Sequence, residues 1–162
     1  MKKLLLAAAF MVGIVYFLSC NKSSTTGFYS CTPEPVTADT AAMNAFVKAD
    51  SLTITKDSSG IYYQIVDTGN GASPLLTSKV YVSYVGRLMT GYIFDSTTNV
   101  ANTGFVLNQL IQGWQVGLPK IKAGGRIKLL IPSALAYGCQ GSGTTVPPNS
   151  AIFFDITLAY IQ

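Results

Sequence analysis

Histidine is absent from the 162-residue chain. That removes Ser-His-Asp and Cys-His nucleophilic catalysis, and with them any histidine-ligated metal. Glutamate occurs once, as Glu34, and the aspartates are not clustered, which speaks against a hydrolase built on paired carboxylates. Neither GxGxxG nor GxxxxGK[ST] occurs, so the common phosphate-cradling loops are missing. Charge is scarce too, at 11% of residues. The lysines and arginines form no run, so no nucleic-acid partner is expected. What remains is 49% hydrophobic, with nine tyrosines, eight phenylalanines and one tryptophan. That composition suits a globular domain with a real core. Any enzyme here must work without general acid–base groups, and no cofactor or metal is expected.

The first twenty residues, MKKLLLAAAFMVGIVYFLSC, set Lys2 and Lys3 before an apolar run that ends in Ser19-Cys20. This is the layout of a secretory signal peptide, with an uncleaved membrane anchor as the alternative. A small residue followed by Cys resembles a bacterial lipobox, although Phe17 stands where Leu is usual. The resemblance implies removal of residues 1–19 and acylation of Cys20, giving an exported, membrane-anchored lipoprotein. Removing Lys2 and Lys3 leaves nine basic against seven acidic residues. Residues 20–35 are polar, small and proline-containing, and read as a flexible tether.

From residue 36 onward the pattern is structural. Thr37 or Asp39 can cap a short amphipathic helix over about 38–50, with Met43, Phe46 and Val47 on one face. Residues 36–60 are taken as a helical extension. After Gly60 the period becomes two. GIYYQIV alternates Ile61, Tyr63 and Ile65 against Tyr62, Gln64 and Val66, and KVYVSYVGRLM sets Val80, Val82 and Tyr84 on one face. GRIKLLIP gives Ile127, Leu129 and Ile131, and AIFFDITLAYI gives Ile152, Phe154, Ile156 and Leu158. LIQGWQVGLPKI spaces Leu110, Trp114 and Leu118 as a short helix ended by Gly117 and Pro119. The expected fold class is α+β, an antiparallel sheet packed around one short helix.

Five stretches resemble a known family in order and spacing. They are VSYVGRLMTGYIFDS from Val82, LIQGWQVGL from Leu110, KAGGRIKLLIP from Lys122, AYG from Ala136 and VPPNSAIFFDITL from Val146. Together they resemble the FKBP-type peptidyl-prolyl cis–trans isomerases over about Val80–Ile161. The resemblance implies a twisted antiparallel sheet wrapped around one helix, here taken as residues 61–162. It implies isomerisation of X–Pro bonds in proline-containing polypeptides, in a monomer. It also gives a purpose to AYGCQGSGTTVPPN, Ala136–Asn149, an uncharged stretch too long for a plain connector. In the family this loop is a flap over an apolar pocket.

Carried over singly, Tyr84 and Phe94 form one wall, Phe154 another, and Trp114 the floor. Leu110 and Ile111 form the rim, with the Ile111 N–H donating to a substrate carbonyl. Asp95 is the pocket carboxylate, Tyr137 directs its hydroxyl at the peptide, and Val146 comes from the flap base. Thr103 and Phe105 occupy positions where family members often carry two aromatics, so Thr103 is expected to leave one wall shallow. Thr145 takes a flap position more often apolar. An FKBP-like binding module with weak or no turnover is the alternative. With Cys20 acylated, Cys31 and Cys139 remain, and an exported pair tends to be joined. A Cys31–Cys139 disulfide is therefore expected, against the alternative of two unpaired thiols.

Overall fold

A computed structural model describes residues 31–162, which form one compact unit. Asp39 does precede the first helix, α1, Thr40–Ala49, whose buried residues are Met43 and Phe46. A short strand β1, Thr55–Lys56, and then β2, Tyr62–Asp67, follow. The long strand β3, Lys79–Leu88, turns back through Gly91 into β4, Ile93–Thr97. β5 is two residues, Phe105–Val106, and α2 is Gln112–Gly117. β6, Arg126–Ile131, and β7, Ile152–Ile161, complete the set. No helix among the described residues is long and apolar enough to cross a membrane.

The strands form one antiparallel sheet in the order β1-β2-β6-β7-β3-β4, with β5 added beside β3. β7 lies in the middle, pairing Phe154 with Leu129 on one side and with Gly86 on the other. Alternation puts Ile127, Leu129, Ile131, Ile152, Phe154, Ile156 and Leu158 on one face, all buried. α2 closes that face with Trp114, and Leu118 just after it adds to the same cluster. The helix comes very close because Gly113 and Gly117 present no side chain: a methyl group on either would run into Ile131 or Leu129. Leu110 precedes the helix rather than opening it.

The opposite face is apolar as well, which the alternation did not foretell. Tyr62, Leu130 and Phe153 point there and join Met43 and Phe46 of α1 in a second buried cluster. The Phe46 and Phe153 rings lie 5.2 Å apart, and the Arg87 guanidinium sits 4.6 Å from the Phe153 ring while pairing with Asp50 at 3.1 Å. Ile65, on the same face by alternation as the buried Ile61, is exposed. The β2–β6 register shifts between Ile65 and Asp67, a bulge that disturbs the alternation while both residues stay paired with β6.

Candidate functional site

Five segments deliver aromatic and aliphatic side chains to one place on the α2 side of the sheet. β3 brings Tyr84, and β7 brings Phe154 from the neighbouring strand. β5 brings Phe105, and the turn into α2 brings Leu110, Ile111 and Trp114. Residues 132–151, between β6 and β7, form the flap that brings Tyr137. With Asp95 of β4, these eight residues line a cavity of about 150 Å³.

Three rings make a rigid base. Trp114 and Phe154 meet at 5.1 Å and 87°, Tyr84 and Trp114 at 5.4 Å and 84°, and Tyr84 and Phe154 at 5.8 Å and 70°. Edge-to-face packing of this kind lets each ring's positive edge meet a neighbour's negative face. Trp114 is 4% exposed and Phe154 3%, so neither can move aside without disturbing the core. Phe94 continues the array, edge-on to Phe154 at 5.5 Å and to Tyr137 at 6.4 Å.

Polar groups are few. The Tyr84 hydroxyl donates to Asp95 Oδ2 at 2.7 Å. Burial first, then this bond to Asp95, pushes the Tyr84 phenol well above its ordinary value. Burial also raises the Tyr137 phenol, with the Asp95 charge adding to it. Both hydroxyls therefore stay protonated and able to donate at neutral pH. Among the described residues the Ile111 N–H has no acceptor, and the buried Trp114 Nε1–H has none either. Gln115 fixes the rim, its Nε2 donating to the Leu110 carbonyl at 2.7 Å and the Asn108 carbonyl at 3.2 Å. The described residues contain no group of three His, Cys, Asp or Glu side chains able to hold a metal ion.

Of the residues picked from the sequence, Tyr84, Asp95, Leu110, Ile111, Trp114, Tyr137 and Phe154 meet at this cavity. Phe94 backs the lining through its contacts with Phe154 and Tyr137. Val146 does not reach the cavity. It pairs with Ser142 across the flap base and turns into the main core at 1% exposure. Thr103 is absent from the lining: its Oγ1 accepts from the Val82 N–H at 2.9 Å and donates to the Val100 carbonyl at 2.7 Å, which holds it against β3. Phe105, the second of the two aromatic positions, lines the cavity. Thr145 is exposed on the flap. Cys31 and Cys139 are joined as a disulfide, their Cα atoms 5.4 Å apart. Cys20 lies outside the described residues. A wider depression of about 400 Å³ opens on the other face of the sheet. Its Arg126 is already held by Asp155 through two hydrogen bonds at 2.8 Å, so it offers no comparable dry wall.

Residues 71–159 match the family described as FKBP-type peptidyl-prolyl cis-trans isomerase. A probable FKBP-type peptidyl-prolyl cis-trans isomerase of Haemophilus influenzae is 41% identical over 99 residues, 60% of this chain and 41% of that protein. FkpA of Escherichia coli, an FKBP-type peptidyl-prolyl cis-trans isomerase, is 42% identical over 106 residues, 65% of this chain and 39% of its own length. The chain thus spans about two fifths of the length of these curated relatives. The crystal structure of E. coli FkpA superposes with a TM-score of 0.69 at 36% identity, over 76% of this chain and 59% of that one. That of a peptidyl-prolyl cis-trans isomerase from Pseudomonas syringae gives 0.66 at 32% identity, over 81% of this chain and 98% of that one.

Proposed function

We propose, for a chain that belongs to the FKBP-type peptidyl-prolyl cis–trans isomerases, that its aromatic cavity accelerates rotation about X–Pro bonds in polypeptide substrates. The observation that carries this reading is the cavity itself: about 150 Å³, floored by Trp114 and walled by Tyr84, Phe105 and Phe154. A largely apolar space of about that volume accommodates a six-membered aromatic ring, and the pyrrolidine ring of proline is smaller.

The chemistry asks for little more. Amide resonance sets a barrier of about 18–20 kcal/mol to rotation. In the twisted transition state resonance is lost and the carbonyl is less polar than in the planar ground state. An apolar site removes the hydration that favours the planar form, so binding strengthens as the bond twists. No proton need leave or arrive, which agrees with a site whose only carboxylate, Asp95, is engaged by Tyr84. Tyr137 and the free Ile111 N–H supply donors at the flap and the rim, and serve to hold the peptide carbonyls in register.

The test is a protease-free exchange assay on a short X–Pro peptide, using the domain without residues 1–20. Phe154→Ala should remove most of the acceleration, because it opens the wall and the core together. Tyr137→Phe should reduce it less, since the cavity survives. A folded wild type with no acceleration defeats the enzyme reading and leaves a binding module.

The chain's place in the cell belongs to the same proposal. The Lys2–Lys3 start, the apolar run and Ser19-Cys20 support export and acylation of Cys20, with the domain held at a membrane surface. The Cys31–Cys139 disulfide fits an oxidising compartment. Metabolic labelling with a fatty-acid analogue should mark the wild type, and a labelled Cys20→Ala protein would refute the anchor.

A further inference from the structure

Residues 31–39 touch the flap at two places. At one end Cys31 is bonded to Cys139, two residues beyond Tyr137. At the other, Asp39 Oδ2 accepts two hydrogen bonds of 2.7 Å, from the N–H and from the hydroxyl of Ser133. Ser133 stands four residues before Tyr137 and is buried to 1% exposure. The stretch between, residues 32–38, is exposed. Segments 31–39 and 133–139 therefore form a closed ring, sealed on one side by a covalent bond and on the other by a carboxylate. Tyr137 lies within it.

Asp39 also departs from its usual local use. It occupies the N-cap position of α1, where an aspartate normally accepts from the backbone N–H groups of the first turn. Here its side chain makes no bond to the helix. The carboxylate is spent instead on a residue 94 positions away. Ser133 in turn has a buried amide and hydroxyl that would lose their acceptor without Asp39. The flap also packs on the main core through Leu135, Tyr137 and Val146, but the backbone bonds just before Tyr137 are local, Leu135 N–H to the Pro132 carbonyl at 2.9 Å and Ala136 N–H to the Ser133 carbonyl at 3.0 Å.

We propose that residues 31–39 act as a strap that fixes the flap, and that Asp39 is a positioning residue acting on Tyr137 through Ser133. The role in catalysis rests on the isomerase reading above; the mechanical role does not. Held by the strap, the Tyr137 hydroxyl meets the substrate already in place, and less conformational freedom is lost on binding.

Native-state hydrogen exchange and a double-mutant cycle on the oxidised domain test this. Asp39→Ala should speed exchange of the Leu135 and Ala136 amides about tenfold or more, while amides of β3 and β7 keep their protection. Cys31→Ser/Cys139→Ser, which leaves Asp39 intact, should speed exchange around Gly141, whose N–H donates to the Tyr137 carbonyl. In the peptide assay Asp39→Ala should lower kcat/KM about fivefold, and adding it to Tyr137→Phe should lower it little further, because both act through one hydroxyl. Unchanged flap exchange in both variants overturns the strap. Fully additive losses overturn its action on Tyr137. If Asp39→Ala does not fold, Asp39→Asn keeps an acceptor and carries the same comparisons with smaller effects. If wild type gives no acceleration, the isomerase reading fails and the exchange measurement, which needs no turnover, decides the strap alone.

Discussion

Replacing Gly86 by alanine tests whether the two phenylalanines of the site are held as tightly as their geometry implies. Gly86 sits on β3 opposite Phe154 on one side and Asp95 on the other. A methyl group there would lie 2.7 Å from Phe154 Cε1 and 2.8 Å from Phe94 Cζ. Carbon atoms settle at about 3.5 Å or more, so both contacts must open by roughly 0.7–0.8 Å. Phe154 is 3% exposed and wedged between Trp114 and Tyr84. Phe94 is only half-buried, so it moves the further and its edge contact with Tyr137 goes with it, while Phe154 and the β3 backbone must also shift to relieve the shorter contact. Overpacking of this size costs about 1–3 kcal/mol. Losing a strand glycine returns about 0.5–1 kcal/mol through the unfolded chain. The expected net destabilisation is about 1 kcal/mol, a few degrees in Tm for a domain of this size. The effect on rate should be larger, because a displacement near 1 Å at a reacting site can cost up to about a hundredfold. Urea unfolding and the peptide exchange assay on one preparation separate the two. Tenfold or more lost in kcat/KM with a modest shift in midpoint is the expected result. A variant with both quantities unchanged refutes the claim that Phe94 and Phe154 are locked together above Gly86.

Two further expectations concern stability. The Cys31–Cys139 bond closes a loop with a sequence separation of 108. In the chain-entropy account such a loop contributes about 5 kcal/mol, so Cys31→Ser/Cys139→Ser should lower the unfolding free energy by several kcal/mol, and an unchanged urea midpoint would sink that account. Asp57 accepts from Lys120 Nζ at 2.6 Å and from the Ser59 N–H at 2.9 Å, and these bonds hold its carboxyl well below the ordinary 3.8. A carboxyl lowered on folding stabilises fully above pH 3.8 and loses that contribution as the pH falls below it. Asp57→Asn should therefore be roughly 1–2 kcal/mol less stable at neutral pH, with the gap closing in acid; a gap independent of pH would point to packing instead.

The sequence was most readable where one pattern served one face. Ile127, Leu129 and Ile131, and Ile152, Phe154, Ile156 and Leu158, alternate and are buried together as alternation requires. It was least readable where a strand is apolar on both faces. Leu130 and Phe153 interrupt the alternation because α1 covers the outer side of the sheet, and nothing local to β6 or β7 announces a helix more than eighty residues earlier. The same limit governed the site. Tyr84, Trp114, Tyr137 and Phe154 were legible through motif order, which encodes a shared position. Val146 lies off the cavity because the direction of its side chain depends on a tertiary partner, the Ser142 bridge at the flap base. Phe105 was recognised only as occupying an aromatic position, and pairing of β5 with β3 puts it at the cavity. The tie from Asp39 to Ser133 spans 94 residues and displaces an ordinary helix cap that sequence alone would assign.

β7 occupies the middle of the sheet although it is the last of the seven strands along the chain. Without it the sheet falls into two separate sets, β1-β2-β6 and β3-β4-β5, that share no hydrogen-bonded edge. A nascent chain therefore has no complete sheet to form until Ile152–Ile161 has been synthesised. Pairings that join distant parts of a chain also form slowly, because loop closure must precede the contacts that reward it. Such an order of events places the joining of the two sets in one late step, after β7 has been made. A chain cut before Ile152 would carry two unpaired strand edges, on β3 and β6, and should aggregate rather than persist as a smaller folded unit.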